Sequence, residues 1–260
     1  MHARNALVRR PSPLLAEGLV THIERSADVD PDLALRQWEG YVQAMADAGW
    51  AIHEVPAAPD SPDSAFVEDT MVVYGDIAVI ARPGAEERWP EIMGAADTVC
   101  EFGYRLAPIE APGTLDGGDV LKHGGTVWVG RGGRTNDEGI AQLASYLEPF
   151  GANVVTVPLT KVLHLKSAVT ALPDGTVVGY EPIVDDPGVW GEHFLAVPEE
   201  PGAHVVLLDD DVLLMSSAAP RSAELYESRG YRVVRVDISE FEKLEGCVTC
   251  LSVRLRGLER

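Results

Sequence analysis

One pattern recurs along this chain and constrains its fold more than any other feature: a tight two-stranded turn, then a helix, then one further strand. Met71-Val72-Val73-Tyr74 and Ile77-Ala78-Val79-Ile80 flank Gly75-Asp76, and a two-residue loop of that composition between apolar runs predicts a β-hairpin. A helix-like stretch over 86–100 and a strand over 104–109 follow. The second copy has strands at 119–121 and 126–129 around Gly124-Gly125, a helix over 136–147 and a strand over 153–157. The third pairs 168–172 with 176–180 across Pro173-Asp174-Gly175. Its remainder, 181–200, is proline-rich and weak in helical period, so this copy reads as degraded. The fourth uses 205–208, 212–215, a helix near 222–228 and a strand over 232–236. The fifth closes only if the chain ends meet. Cys250 opens a run over 250–255 that can pair with 6–9, and an amphipathic helix over Pro31–Asp47 and a strand over 50–55 complete the unit.

Self-similarity at roughly 35–50 residues points to a radially repeated architecture. No single unit can bury both faces of its hairpin and helix, whereas units around an axis cover one another, and joining the first and last strands protects the edges. The alternative is an α+β sandwich without repeat symmetry. No linker or composition break interrupts the 260 residues, so 1–260 reads as a single domain.

The charge balance narrows the partners. The chain carries 41 acidic against 21 basic residues, a formal charge of −20. A nucleic-acid partner is not expected, because phosphate neutralisation needs clustered Lys and Arg. A small cation would be attracted, although an acidic surface also serves solubility. The start of the chain shows no signal-peptide core, and no stretch approaches the roughly 20 apolar residues of a membrane span. Three cysteines are too few for a disulfide framework, so a reduced, cytoplasmic protein is expected.

The polar residues fall at equivalent places. Reactive side chains precede the first hairpin strand in four units: Glu68-Asp69 ahead of Met71, Asp116 ahead of Asp119-Val120, His164 ahead of Ala168, and Cys250. Singly, each has an ordinary reading. Cys250 on an apolar strand suits an inert core thiol, His164 between two leucines suits a core histidine, and Asp116 before Gly-Gly suits a turn. Cys247 and Cys250 form a C-x-x-C, but zinc needs further ligands that are not spaced for it, and a thioredoxin-type site needs the pair at a helix start. Repeat register is what makes them a set: equivalent positions in a rotationally repeated fold converge on the axis.

At Leu115-Asp116-Gly117-Gly118-Asp119-Val120, Leu163-His164-Leu165-Lys166-Ser167 and Thr249-Cys250-Leu251-Ser252 the chain resembles the dimethylarginine dimethylaminohydrolase family, guanidine-modifying enzymes of the pentein superfamily. The likeness extends through 62–69, 82–85 and 134–136. The resemblance implies a five-bladed α/β propeller (pentein) of ββαβ units with pseudo-fivefold symmetry, closed by pairing of the terminal strands. It implies Cys250 as nucleophile, His164 as general acid and base, and Asp116 and Asp69 as carboxylates gripping a guanidinium, with Glu68 in support. Arg88 and Arg134 match arginines that bind a substrate α-carboxylate, with Arg82 a neighbouring competitor for the role of Arg88. Asp63 matches the acid near the α-amino group, aided by carbonyls around Leu19 and Leu244, and the Leu19 segment matches a mobile lid. The sequence departs from some relatives at Leu251, where those carry a cysteine, and at Asp116, where those carry glutamate.

This residue set suits the chemistry. Two carboxylates orient the guanidinium carbon, a thiolate attacks it, and an imidazole protonates the leaving amine and then activates water. An alkylthiouronium forms on Cys250, citrulline is released, and no cofactor or metal is required. The expected partner is a cationic guanidino amino acid, with dimethylarginine, monomethylarginine and arginine all open. The alternatives are an arginine deiminase-like hydrolase, a non-catalytic guanidine-binding pentein and a pentein acting as an interaction protein. Monomer and homodimer are equally compatible with the sequence.

Overall fold

Two-residue loops with left-handed glycines turn the strands back on themselves. Gly75 has φ +54°, Gly124 +56° and Gly125 +82°, conformations that carry a side chain only with strain. The computed structural model describes residues 4–24 and 28–256. Residues 1–3, on which part of the signal-peptide expectation rests, lie outside the described residues, as do 25–27 and 257–260.

In chain order, β1 (Arg4–Val8) leads to α1 (Pro31–Asp47) and β2 (Ala51–Glu54). Next come β3 (Met71–Tyr74), β4 (Ile77–Ile80), α2 (Ile92–Glu101) and β5 (Arg105–Pro108). Then β6 (Val120–His123), β7 (Thr126–Arg131), α3 (Asp137–Leu147) and β8 (Asn153–Pro158) repeat the order. The third copy has the single turn α4 (Leu165–Ala168), then β9 (Val169–Ala171), β10 (Val177–Gly179) and β11 (Phe194–Ala196). The fourth has β12 (Val206–Asp209), β13 (Val212–Ser216), α5 (Pro220–Ser228) and β14 (Arg232–Val236), and α6 (Ser239–Glu242) precedes β15 (Val253–Arg256).

Among the described residues the strands form five three-stranded sheets. In each, the middle strand runs antiparallel to the first and parallel to the third, which is the ββαβ unit expected from sequence. The fifth sheet is closed by the chain ends, with β1 antiparallel to β15 (Leu7 opposite Val253) and parallel to β2 (Asn5 opposite Ala51). The architecture is the five-bladed α/β propeller.

Helix ends follow local chemistry. Asp30 caps α1 by accepting from the N–H groups of Asp32 and Leu33, with Pro31 in the first turn. Asn136 caps α3 through the Gly139 N–H (2.8 Å) and also receives the Thr114 N–H (2.9 Å), fastening α3 to the segment ahead of β6. The buried stripe of α1, with Trp38, Tyr41 and Met45, packs in one cluster with Leu208, Leu214 and Val236 of the preceding blade. Truncating Trp38 there would cost about 3–5 kcal/mol. Blades are thus joined by shared core as well as by chain.

Two local expectations change, at 86–100 and at Cys250, and the degraded third copy holds. The stretch 86–100 is a 3-10 turn over Glu86–Glu91 followed by α2, because Pro90 lacks the N–H a continuous helix needs. The degraded third copy crosses over through 3-10 turns at Glu181–Ile183, Pro187–Val189 and Gly191–His193. Cys250 does not open a strand. It lies in a turn ahead of β15, its N–H donating to the Cys247 carbonyl at 3.1 Å.

Candidate active site

The 3-10 turn Val67–Thr70 ahead of β3 sends two adjacent carboxylates in opposite directions. Asp69 faces a small cavity lined also by Leu19, Asp63, Arg88, Arg134, His164 and Cys250. Glu68 turns away into an axial channel of about 520 Å³, where it meets Lys166 Nζ at 2.6 Å and Arg254 Nη2 at 2.7 Å. Its main-chain N–H still supports the site by donating to the Cys250 carbonyl at 3.1 Å. The channel is the larger space, but the only thiols and imidazole of the expected set lie on the cavity side.

The Asp-Gly-Gly-Asp turn ahead of β6 assembles the next layer. Gly118 N–H donates to Asp69 Oδ1 at 2.9 Å. A Cβ at Gly118 would stand 2.6 Å from that oxygen and 2.7 Å from His164 Nδ1, so the backbone must be bare there. Asp119 Oδ2 accepts from Thr135 Oγ1 at 2.6 Å, and its Oδ1 accepts from the Leu165 N–H at 3.0 Å, fixing the residue next to His164. Burial pushes the Asp119 carboxyl up to about 7 against the pull of His164 and Thr135.

His164 sits between two carboxylates. Its Nε2 lies 2.9 Å from Asp116 Oδ2 and its Nδ1 3.7 Å from Asp69 Oδ1. Burial alone would depress its pKa, but Asp69, the Asp116 hydrogen bond and Asp119 carry it up to about 9. Asp69 goes the other way. Burial opposes ionisation, yet His164, Arg88 and the Gly118 N–H bring it down to about 2. At neutral pH the pair is therefore an imidazolium beside a carboxylate. Asp116 is fully buried behind His164, its second oxygen taken by the Gly84 N–H at 3.0 Å, and it does not line the cavity. Its position suits orienting the imidazole better than gripping a ligand.

Both arginines expected from sequence line the cavity, and Arg82 does not; Arg82 lies over Trp89 and donates to the Gly113 carbonyl. The two differ in freedom. Arg88 gives Nε and Nη2 to Glu91, Nη2 also to the Asp63 and Phe66 carbonyls, and Nη1 to Asp69 at 2.6 Å. Arg134 Nη1 is buried with no hydrogen-bond partner, 3.8 Å from Asp116 Oδ2. Asp63 receives the Leu19 N–H at 3.1 Å, and burial holds its carboxyl above the usual range despite Arg88 and that N–H.

Cys250 Sγ lies 3.3 Å from Cys247 Sγ. That contact, with burial and the charges of Cys247, Glu68 and Asp69, holds the Cys250 thiol well above its ordinary pKa. The same contact pulls Cys247 down to about 5 against burial, helped by His204 and Thr249. Cys247 is thus the more readily ionised of the two sulfurs, and the nearby Glu68 and Asp69 carboxylates disfavour negative charge on Cys250.

Glu245 is part of the cavity wall. Its carboxylate accepts from the N–H groups of Thr21 (2.8 Å), His22 (2.6 Å) and Ile23 (3.0 Å), pinning the loop that carries Leu19. Glu245 itself has φ +61°, costly for a side-chain-bearing residue. The cavity has about 20 Å³ of free volume, room for about one water. Leu244 lines it as expected. Glu91, Asp119 and Glu245 were not singled out from sequence: Asp119 and Glu245 act on partners distant in the chain, Glu91 pairs with Arg88 only three residues away inside a 3-10 turn, and only Asp119 falls inside a recognisable motif.

Asp69, Asp116 and His164 also offer ligand atoms within 4.8 Å of one another, the one such group among the described residues. With His164 raised to about 9, a metal would first have to displace its proton.

No family model matches the chain. It is 59% identical over 258 residues to the N(G),N(G)-dimethylarginine dimethylaminohydrolase of Streptomyces coelicolor, covering 99% of both chains. It is 34% identical to the enzyme of that name from Pseudomonas aeruginosa, covering 96% of this chain and 99% of that one. A cysteine-to-serine mutant of the Pseudomonas enzyme complexed with citrulline superposes with a TM-score of 0.89 at 33% identity, over 98% of this chain and 100% of that one. The N-terminal domain of a cyanobacterial arginine dihydrolase, 20% identical with a TM-score of 0.86 over 98% of this chain and 99% of that one, shares the fold.

Proposed function

Because the chain belongs to the dimethylarginine dimethylaminohydrolase family, we propose that it hydrolyses Nω-methylated L-arginine to L-citrulline and a methylamine through a covalent thiouronium on Cys250. The observation that carries this reading is that Asp69, His164 and Cys250 line one cavity together with Asp63 and Arg134.

The substrate is a cation at one end and a zwitterion at the other, and the cavity offers opposite charge to each part. Asp69 takes the guanidinium N–H edge, which aims the central carbon at Cys250. Arg134, whose buried Nη1 makes no hydrogen bond, suits the α-carboxylate, and Asp63 suits the α-ammonium. Arg88 braces Asp69 from behind and keeps little donor capacity for the ligand.

Arrival of the guanidinium changes the thiol. Asp69, one of the carboxylates that hold Cys250 protonated, now faces a second cation, so the Cys250 proton passes across the 3.3 Å contact to Cys247 and the thiolate forms when its target is present. It adds to the guanidinium carbon. His164, already protonated, gives its proton to the departing amine from the nitrogen that Asp116 does not hold. The neutral imidazole then takes a proton from water, which attacks the thiouronium and frees citrulline and the thiolate. Asp116 keeps the ring aligned through both transfers.

The three free cysteines support a reducing, cytoplasmic setting. Among the described residues no helix is long and apolar enough to cross a membrane. The test is citrulline formation from asymmetric dimethylarginine, monomethylarginine and arginine side by side, with Cys250→Ser as control. Turnover of the methylated substrates that vanishes in Cys250→Ser supports the assignment. Preference for arginine, or undiminished turnover by Cys250→Ser, overturns it.

A further inference from the structure

The chain holds three cysteines, and two of them touch. Cys247 Sγ and Cys250 Sγ are 3.3 Å apart, both buried, while Cys100 is exposed on α2. The bond length of a disulfide is about 2.05 Å, so roughly 1 Å of closure separates this pair from a covalent link. The backbone already favours it. Residues 247–250 form a turn closed by the Cys250 N–H to Cys247 carbonyl bond at 3.1 Å, which brings both side chains to one side of a short ring.

A chain that uses Cys250 only as a nucleophile has no need of a second sulfur at this distance. Val248 and Leu251 show that apolar side chains fit the surrounding core, which also contains Phe66, Phe241 and Leu244. Thr249 Oγ1 lies 3.3 Å from Cys247 Sγ, so the second sulfur has a polar partner as well as the first.

We propose that Cys247 is a resolving thiol: a hydroperoxide oxidises Cys250, and Cys247 captures the product as a reversible Cys247–Cys250 disulfide. The reactive form of the pair is one thiol and one thiolate in contact at 3.3 Å. Cys250 is the sulfur that lines the cavity, and passing its proton across the contact to Cys247 leaves it a thiolate. That thiolate attacks one oxygen of hydrogen peroxide. The O–O bond breaks, hydroxide leaves, and Cys250 becomes a sulfenic acid. Cys247 sulfur then attacks the Cys250 sulfur; the S–S bond forms, the S–O bond breaks, and the leaving hydroxide departs with the Cys247 proton as water. One peroxide is reduced by two electrons, and two sulfurs are each oxidised by one.

The linkage arrests turnover because the attacking sulfur is consumed, and a dithiol reductant restores it. It also keeps Cys250 from the irreversible sulfinic and sulfonic states. The loss of turnover rests on Cys250 being the nucleophile, whereas formation of the disulfide does not, so the two are read separately.

The test treats the full-length reduced protein with one to several equivalents of hydrogen peroxide, then alkylates free thiols and maps the peptides. The expected result is a Cys247–Cys250 link with Cys100 still alkylated, a chain two hydrogens lighter, and citrulline formation lost and then recovered with dithiothreitol. In Cys247→Ser and Cys247→Ala, each compared with its own untreated activity, Cys250 is expected to gain oxygen and recovery with dithiothreitol to fall several-fold. Wild-type protein with both thiols still free, or with Cys250 carrying two or three oxygens beside a free Cys247, would overturn the proposal. A link without loss of turnover would uphold the disulfide and instead contradict the role of Cys250 as nucleophile.

Discussion

His164 is clasped by Asp116 and Asp69, at 2.9 Å from one ring nitrogen and 3.7 Å from the other, and the two contacts set when it holds a proton. Both carboxylates favour the imidazolium, which is why burial fails to depress its pKa and the group stands at about 9. Activity that needs His164 as an acid should hold from neutral pH and decline as pH rises through that value. Asp116→Asn removes one clasp. The alkaline limb of the kcat/KM profile is expected to move towards the ordinary histidine value, and kcat at pH 8 to fall by up to about 10²-fold. A pH–rate profile of the two proteins checks this, and an unmoved limb would deny Asp116 its orienting role.

The two cavity arginines should separate by measurement. Arg88 is buried between Asp69 and Glu91, so Arg88→Ala strands two carboxylates and is expected to cost about 3–5 kcal/mol of stability. Arg134 Nη1 makes no hydrogen bond and has only the longer 3.8 Å ion pair with Asp116, and Arg134→Ala should leave Tm within a few degrees while raising KM for methylarginine by on the order of 10²-fold. Thermal unfolding and steady-state kinetics on both variants distinguish them.

Glu245 holds three consecutive N–H groups of the loop that carries Leu19. The cavity has about 20 Å³ of free volume, so an amino acid needs an opening, and we propose that this loop provides it. Glu245→Ala removes acceptors worth roughly 1.5–3 kcal/mol each to charged groups. Faster amide exchange at 21–23 and a raised KM are expected, and unchanged exchange would show that the loop is held by something else.

Gly118 tests how tightly the layers meet. Gly118→Ala places a methyl against Asp69 Oδ1 and His164 Nδ1 at 2.6 and 2.7 Å. Turnover is expected to fall by at least 10²-fold, since misplacement of about 1 Å near reacting groups has that effect. Gly124→Ala, on an exposed turn with open space around it, serves as the comparison for stability alone.

What the sequence made legible, and what it hid, follows from the range of the interactions. The Met71–Tyr74 and Ile77–Ile80 hairpin and the helix Pro31–Asp47 are readable to the residue because their turn glycine, proline and capping aspartate act on near neighbours. Closure of β15 on β1 was readable only because four blades already demanded a fifth. Pro90 hid the break ahead of α2 inside an otherwise helical pattern. The turn at Cys250 was hidden by the apolar run that follows it. Asp69, Asp116, His164 and Cys250 could be grouped from repeat register, but the turning of Glu68 into the channel and of Asp116 behind His164 could not. Those orientations are fixed by Lys166, Arg254 and Gly84, partners that lie far along the chain or in another blade.

The role of Cys250 is tested most directly by rapid-quench mass spectrometry during turnover of dimethylarginine. The peptide containing Cys250 is expected to carry a transient mass equal to the substrate less dimethylamine, absent in Cys250→Ser and accumulating and decaying at rates that match citrulline release. Citrulline formed at the normal rate with no such adduct on Cys250, or with the adduct on another residue, would contradict it.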